Sequence, residues 1–229
     1  MTVLGSHPNP AGVRDPAVAH ELDALAGAII GLGAQRQFLD RGHARIDGLW
    51  SDHLAEALAV EARAVHRWAV YPAARPARTV AGSGNRSPAC QVTIGQAPLL
   101  AALHESLTPI ARVVTARMVV PTVGTYGYYE QDDGCYLHVD TDDQDVTFLI
   151  SVLGRVGPLR MRPELVGSTT AQLDALEDDP SWDHDGGEPI SYPTLGVAAI
   201  RGRLLPHHRP GSPISGLTAV GAIHYRAWF

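Results

Sequence analysis

The chain has 229 residues, enough for one sizeable core or one core with a helical cap. Hydrophobic residues make up 45% and charged residues 18%, as in ordinary soluble globular proteins. Eighteen basic against 24 acidic residues leave a net charge of −6, which argues against nucleic acid as a partner, because phosphate-backbone binders need a basic face. Residues 1–15 lack the basic and apolar regions of a secretory signal. The longest apolar stretch, 26–34, is broken by glycines and too short to span a bilayer. Two cysteines, Cys90 and Cys135, make no disulfide framework. A cytoplasmic protein with no membrane partner is the expectation.

Residues 1–14 read as a flexible tail and 15–118 as mainly helical support. Asp15-Pro16 supplies an N-cap with proline at the first helical position. Val18, Leu22, Leu25 and Ile29 follow at helical spacing, and Gly31 and Gly33 stop the run. A short extended piece at 44–46 leads to Ser51 or Asp52 as the next cap. Leu54, Leu58, Glu61 and Val65 then trace one side of a second helix, which ends before Pro72. Residues 72–97 carry prolines, glycines and arginines without apolar periodicity and read as a long loop, a kind that is usually functional or mobile. A third helix is expected over 98–107, and Thr108-Pro109 opens a fourth ending near Met118.

From Pro121 the texture changes to short runs rich in β-branched and aromatic residues: 125–130, 136–139, 146–153, 159–162, 196–200 and 219–229. Turns of Asp, Gly and Pro separate them. An acidic insert at about 166–191, with Asp178, Asp179, Asp183 and Asp185, reads as a solvated surface loop. Helices first and strands afterwards make 1–229 a single α+β domain, its β core at 119–229 and its helices packed on one side.

The chemistry concentrates between Tyr128 and Asp140. On a strand, residues two apart point the same way, so His138 and Asp140 can offer an imidazole and a carboxylate to one metal. A histidine from a distant strand would complete a 2-His-1-carboxylate triad, which leaves positions open on Fe(II). His184, His207, His208 and His224 are the downstream candidates. His207 and His208 cannot both ligate from a regular strand, because neighbours point oppositely. His184 lies in the acidic insert and reads as solvated, and His224 as hydrogen-bonded in the core or in a cosubstrate pocket. Cys135 reads as a buried free thiol.

Further segments follow a recognisable order. An aromatic, a glycine and a short strand run from Phe38 to Leu49, and Tyr128 precedes His138 by ten residues with the Asp133-Gly134 turn between them. After His138 and Asp140 come a Thr-containing apolar strand at Val146–Ser151 and a glycine-led strand at Gly157–Arg162. Pro206-His207 and the closing aromatic strand Arg226–Phe229 end the series. Over most of its length the chain thereby resembles the 2-oxoglutarate/Fe(II)-dependent oxygenase superfamily, particularly its prolyl-hydroxylase-like branch.

The resemblance implies a double-stranded β-helix (jelly-roll or cupin-like) core with His138, Asp140 and His207 as catalytic metal ligands. It implies Fe(II), 2-oxoglutarate and O2 as cofactor and cosubstrates, with Tyr128 touching 2-oxoglutarate. The family's carboxylate-binding Arg or Lys follows the distal histidine by about ten residues, but no basic residue lies between Pro210 and His224. Arg226 is the expected substitute, with Arg160 or Arg162 as alternatives. A carboxylate at 140, where related halogenases carry a small residue, implies hydroxylation. The implied substrate is a small molecule such as an amino acid or biosynthetic intermediate. Its contacts are expected from Arg75, Arg78 and Arg86 in the long loop, from 120–126 and from the acidic insert. A cupin-like metal-dependent isomerase and a non-catalytic binding module on the same fold are the competing readings.

Overall fold

In the computed structural model, residues 15–28, 31–70, 90–130, 133–211 and 216–228 are described. The N-terminal tail, most of the long loop with Arg75, Arg78 and Arg86, and most of the segment linking Pro210 to the last strand lie outside them. Helix α1 (Pro16–Ala26) starts where Asp15 accepts a hydrogen bond from the Ala17 N–H at 2.8 Å, and it buries Val18, Leu22 and Leu25. It ends earlier than the apolar spacing predicts, at Gly27, and a separate helix α2 (Leu32–Arg41) carries Gly33 inside it. The sequence pattern misses α2 because Phe38 is its only buried residue, so no apolar stripe marks it. Gly42, with φ 76°, turns the chain from α2 into strand β1 (His43–Ile46). Helix α3 (Asp52–Val65) is capped by Ser51 and buries Leu54, Leu58, Glu61, Ala62 and Val65.

Strand β2 (Cys90–Thr93) occupies part of what reads as loop. Helices α4 (Pro98–Ser106) and α5 (Thr108–Thr115) each open with proline in the first turn, as their sequences predict. The β region begins with β3 (Met118–Tyr129), where Pro121 pairs with Tyr225 but lies beyond the reach of β2, so its missing N–H interrupts no second ladder. Then follow β4 (Cys135–His138), β5 (Val146–Leu153) and β6 (Leu159–Met161). The acidic insert holds helix α6 (Thr170–Glu177) and strand β7 (Glu188–Ile190), so it is not the open solvated loop that its charge suggests. Thr169 and Gln172 close a capping box at the start of α6, and the helix buries Leu173 and Glu177. Glu177 accepts a hydrogen bond from the Leu137 N–H at 3.2 Å, which docks the insert on β4. Strands β8 (Val197–Ile200), β9 (His207–Arg209) and β10 (Thr218–Trp228) complete the chain.

All pairings are antiparallel, in a six-stranded sheet of order β1-β8-β5-β10-β3-β2 and a four-stranded sheet of order β4-β9-β6-β7. From β3 onward the chain passes back and forth between the sheets, which is the double-stranded β-helix the resemblance implies. Successive strand residues face opposite ways, so β3, β5, β8 and β10 of the larger sheet each serve two cores. Tyr126, Tyr128, Phe148, Ile150, Ile223 and Tyr225 pack against the helices. Tyr129, Leu149, Met161, Ile200, Leu205 and Val220 fill the space between the sheets. Among the described residues, no helix is long and apolar enough to cross a membrane.

Candidate metal centre

His138 ends β4 and His207 begins β9, and the two are direct partners in the β4–β9 ladder. Their ring centroids are 4.4 Å apart. Asp140 lies just past β4, where its N–H donates to the Gly202 carbonyl at 2.9 Å. Its Oδ1 stands 3.5 Å from His138 Nε2 and 3.7 Å from His207 Nε2. One ligand atom from each of the three residues lies within 4.8 Å of the others, a spacing that one metal ion can bridge.

The surrounding hydrogen bonds decide which atoms are offered. His138 Nδ1 donates to the Tyr136 carbonyl at 2.7 Å, and His207 Nδ1 donates to the Leu205 carbonyl at 2.9 Å. Each imidazole is therefore anchored through Nδ1 and turns Nε2 towards the centre, with ring orientation set by the backbone two residues earlier. The other oxygen of Asp140, Oδ2, accepts from the Thr147 hydroxyl at 2.5 Å, and Thr147 Oγ1 in turn accepts from His224 Nδ1 at 2.9 Å. Oδ1 is left pointing at the two histidines. Gly202 permits this approach, because a Cβ at that position would overlap Asp140 Oδ2.

The electrostatics favour positive charge at the centre. Burial would raise the Asp140 carboxyl, but the hydrogen bond to His138 and the nearby His207 and His224 hold it well below the usual carboxylate range. Burial opposes a proton on His138, yet Cys135 and Asp140 raise that imidazole well above its ordinary value. Burial and the neighbouring His138 push His207 down to about 4, so it enters neutral pH as a lone-pair donor.

Of the residues singled out in the sequence, His138, Asp140 and His207 are brought together. His208 points to the opposite face of β9, where Nε2 donates to the His184 carbonyl at 2.9 Å and the ring lies 6.1 Å from that of Trp182. Cys135 is a half-buried free thiol, 3.9 Å from His138 Nδ1. Tyr128 is not with the three: it faces the helices, its hydroxyl donates to the Ala62 carbonyl at 2.7 Å, and its ring lies 4.5 Å from that of His66. Arg226 is exposed, with its guanidinium 5.2 Å from the Trp228 ring. Arg160 pairs with His208 in the β6–β9 ladder, and Arg162 stacks on Trp182 at 3.9 Å, so both belong to the outer face of the small sheet. The sequence reading places His224 in a hydrogen bond but does not find its link through Thr147 to Asp140. It also misses Gly202 and the buried Arg209, since nothing in the local pattern marks either.

No protein-family model and no curated protein matches the sequence. Solved structures do, among them α-ketoglutarate-dependent non-haem enzymes and prolyl hydroxylases. The non-haem α-ketoglutarate-dependent carbocyclase SnoK from nogalamycin biosynthesis has TM-score 0.64 at 12% identity, over 88% of this chain and 85% of that one. HygX from Streptomyces hygroscopicus with nickel and 2-oxoglutarate bound has TM-score 0.64 at 13% identity, over 88% and 89%. A prolyl hydroxylase from Trichoplax adhaerens, in complex with a hypoxia-inducible-factor peptide fragment, has TM-score 0.58 at 15% identity, over 95% and 96%. At such identities the likeness establishes the shared fold, and the site carries the rest of the argument.

Proposed function

We propose that the protein is a non-haem Fe(II)/2-oxoglutarate-dependent dioxygenase that hydroxylates a small molecule such as an amino acid or biosynthetic intermediate. One observation carries the reading: two imidazoles and a carboxylate converge within 4.8 Å, with the outer nitrogen of each imidazole tied to a backbone carbonyl. That donor set fits a divalent iron held on one face, with the remaining positions open to ligands. Fe(II) there, together with 2-oxoglutarate and O2, supplies the oxidising chemistry.

The chain's own residues supply the geometry. Thr147 and His224 hold Oδ2 of Asp140 so that Oδ1 alone faces the centre. Leu149, Val220 and Leu205 line the space between the sheets and keep it apolar. The His138 side chain is 19% exposed, against 8% for Asp140 and 5% for His207, so a substrate approaches from the His138 side. The carboxylate at 140 favours hydroxylation over halogenation. SnoK and the epimerase SnoN both come from nogalamycin biosynthesis, which supports a small biosynthetic substrate over a peptide. The net charge of −6 goes against nucleic acid, and a free Cys135 suits a reducing cytoplasm.

Anaerobic titration with Fe(II) and 2-oxoglutarate tests the reading. A weak visible charge-transfer band should appear only with both components and vanish in His138→Ala. A protein that takes up no divalent metal would sink it. Metal uptake with neither that band nor succinate release would favour a cupin-like metal enzyme that uses no 2-oxo acid.

A further inference from the structure

Two residues beyond His207, on the same inner face of β9, lies Arg209, about 7 Å along the strand. It is 3% exposed and stands beside Cys135 in the β4–β9 ladder. Its guanidinium lies 3.8 Å from the centroid of the Tyr129 ring, and Nη1 donates to the Tyr192 hydroxyl at 3.0 Å. Nε and Nη2 are buried with no hydrogen-bond acceptor among the described residues, and no described carboxylate pairs with the cation. Thr218, directly across from Tyr129 in the β3–β10 ladder, adds a buried hydroxyl that also has no partner.

A buried guanidinium is normally neutralised, because an unpaired charge in a dry interior is far costlier than a paired one. Here its unsatisfied donors sit inside the barrel on the wall that carries a metal-site histidine. Burial raises the Tyr129 and Tyr192 phenols above their ordinary value, so both stay protonated. Each phenol oxygen interacts with Arg209 and retains its own O–H to donate. A carboxylate set among these groups would receive N–H and O–H donors together, the pattern that makes charge-assisted recognition strong.

We propose that Arg209, with the hydroxyls of Tyr129, Tyr192 and Thr218, binds the far carboxylate of the 2-oxo acid cosubstrate. This chain thus takes the anion from β9, beside the distal histidine, where the exposed Arg226 of the last strand cannot serve. The assignment rests on the oxygenase reading above and deepens it. It explains why an arginine with unsatisfied donors is tolerated in the barrel, and why the usual basic residue is missing between Pro210 and His224.

The test compares two ligands by calorimetry on the Mn(II)-loaded protein: 2-oxoglutarate, and 2-oxopentanoate, which keeps the 2-oxo acid head but ends in a methyl group. Wild type should prefer 2-oxoglutarate by about 100-fold. Arg209→Gln should lose that preference by weakening 2-oxoglutarate alone, with Mn(II) affinity unchanged, and Arg209→Lys should recover part of it. Because Arg209 is buried, Tyr192→Phe provides a milder second variant, expected to reduce the preference about tenfold. A wild type that binds both acids equally, or an Arg209→Gln protein that keeps the preference, overturns the assignment while leaving the metal centre standing. A wild type that binds no Mn(II) overturns the oxygenase reading itself.

Discussion

The six-stranded sheet buries polar groups on both of its faces and treats them in opposite ways. On the helix side, Glu61 accepts hydrogen bonds from the Leu99 N–H at 2.6 Å, the Leu100 N–H at 3.0 Å and the Tyr126 hydroxyl at 2.9 Å. It thereby caps α4 from a different helix. Tyr225 donates to the His104 carbonyl, and the His104 ring bonds the His224 carbonyl. On the barrel side, Nε2 of His138 and His207 and Oδ1 of Asp140 converge within 4.8 Å, and two buried nitrogens of Arg209 have no hydrogen-bond partner among the described residues. Buried polar groups are ordinarily satisfied. A satisfied network therefore reads as scaffold, and a converging unsatisfied one reads as a site shaped for something the chain does not itself contain.

Deleting the scaffold's acceptor should be the largest break. Glu61→Ala leaves two helix N–H groups and a phenol unsatisfied in the core, at a cost of about 3 kcal/mol. Urea unfolding should register it, while the folded protein keeps its Mn(II) and 2-oxoglutarate affinities. A change in those affinities with stability intact would mean that the two faces are not separable.

Acid should attack the same scaffold. Burial pushes His104 down from its ordinary 6.5 to about 4. Its folded value is depressed, so the unfolded chain binds the proton first. The stability it contributes is complete above pH 6.5 and is lost as pH falls towards 4. The span corresponds to about 3 kcal/mol. His104→Gln can still donate to the His224 carbonyl, and it should flatten the stability profile between pH 6.5 and 4. An unchanged profile would place the acid sensitivity elsewhere, with His208 as the next candidate, since burial likewise brings it to about 4.

These contrasts also explain which parts were legible in the sequence. Strand β5 and helices α4 and α5 stand out because alternation, apolar runs and Thr-Pro or Ala-Pro starts are local signals. Helix α2 buries a single residue, and β7 and β9 are three residues long, so none of them has a period to detect. His138 and Asp140 could be paired because their separation lies on one short segment. Arg209 became visible only once β9 was seen to present alternate residues inward, which puts His207 and Arg209 inside and His208 outside. Gly202 carries no sequence signal at all, since its role comes from the approach of a side chain sixty-two positions away.

Within the barrel, the link from His224 through Thr147 sharpens the comparison, because here satisfied groups serve the unsatisfied ones. Thr147→Val removes the donor to Asp140 Oδ2 and frees the carboxylate to rotate. Metal affinity should fall by about 10- to 100-fold, the usual cost of losing an outer partner of a ligand. Competition with a chromogenic chelator would measure it. If affinity holds and only thermal stability drops, Thr147 belongs to the scaffold.

The smallest effect gives the sharpest test, because it separates two adjacent residues. Tyr128 and Tyr129 are neighbours on β3 and point to opposite faces: Tyr128 to the Ala62 carbonyl among the helices, Tyr129 to Arg209 inside the barrel. A count of ten residues back from His138 reaches Tyr128, but a count across a turn does not preserve which face a residue takes. A shift of one position reverses it. Tyr128→Phe should cost about 1 kcal/mol of stability, the worth of one buried hydrogen bond, and leave 2-oxoglutarate affinity as it is. Tyr129→Phe keeps the ring against the guanidinium and loses only the hydroxyl, so it should weaken 2-oxoglutarate about tenfold with little change in unfolding. If Tyr128→Phe weakens the ligand and Tyr129→Phe does not, the two faces have been assigned the wrong way round, and the carboxylate site proposed at Arg209 falls with them.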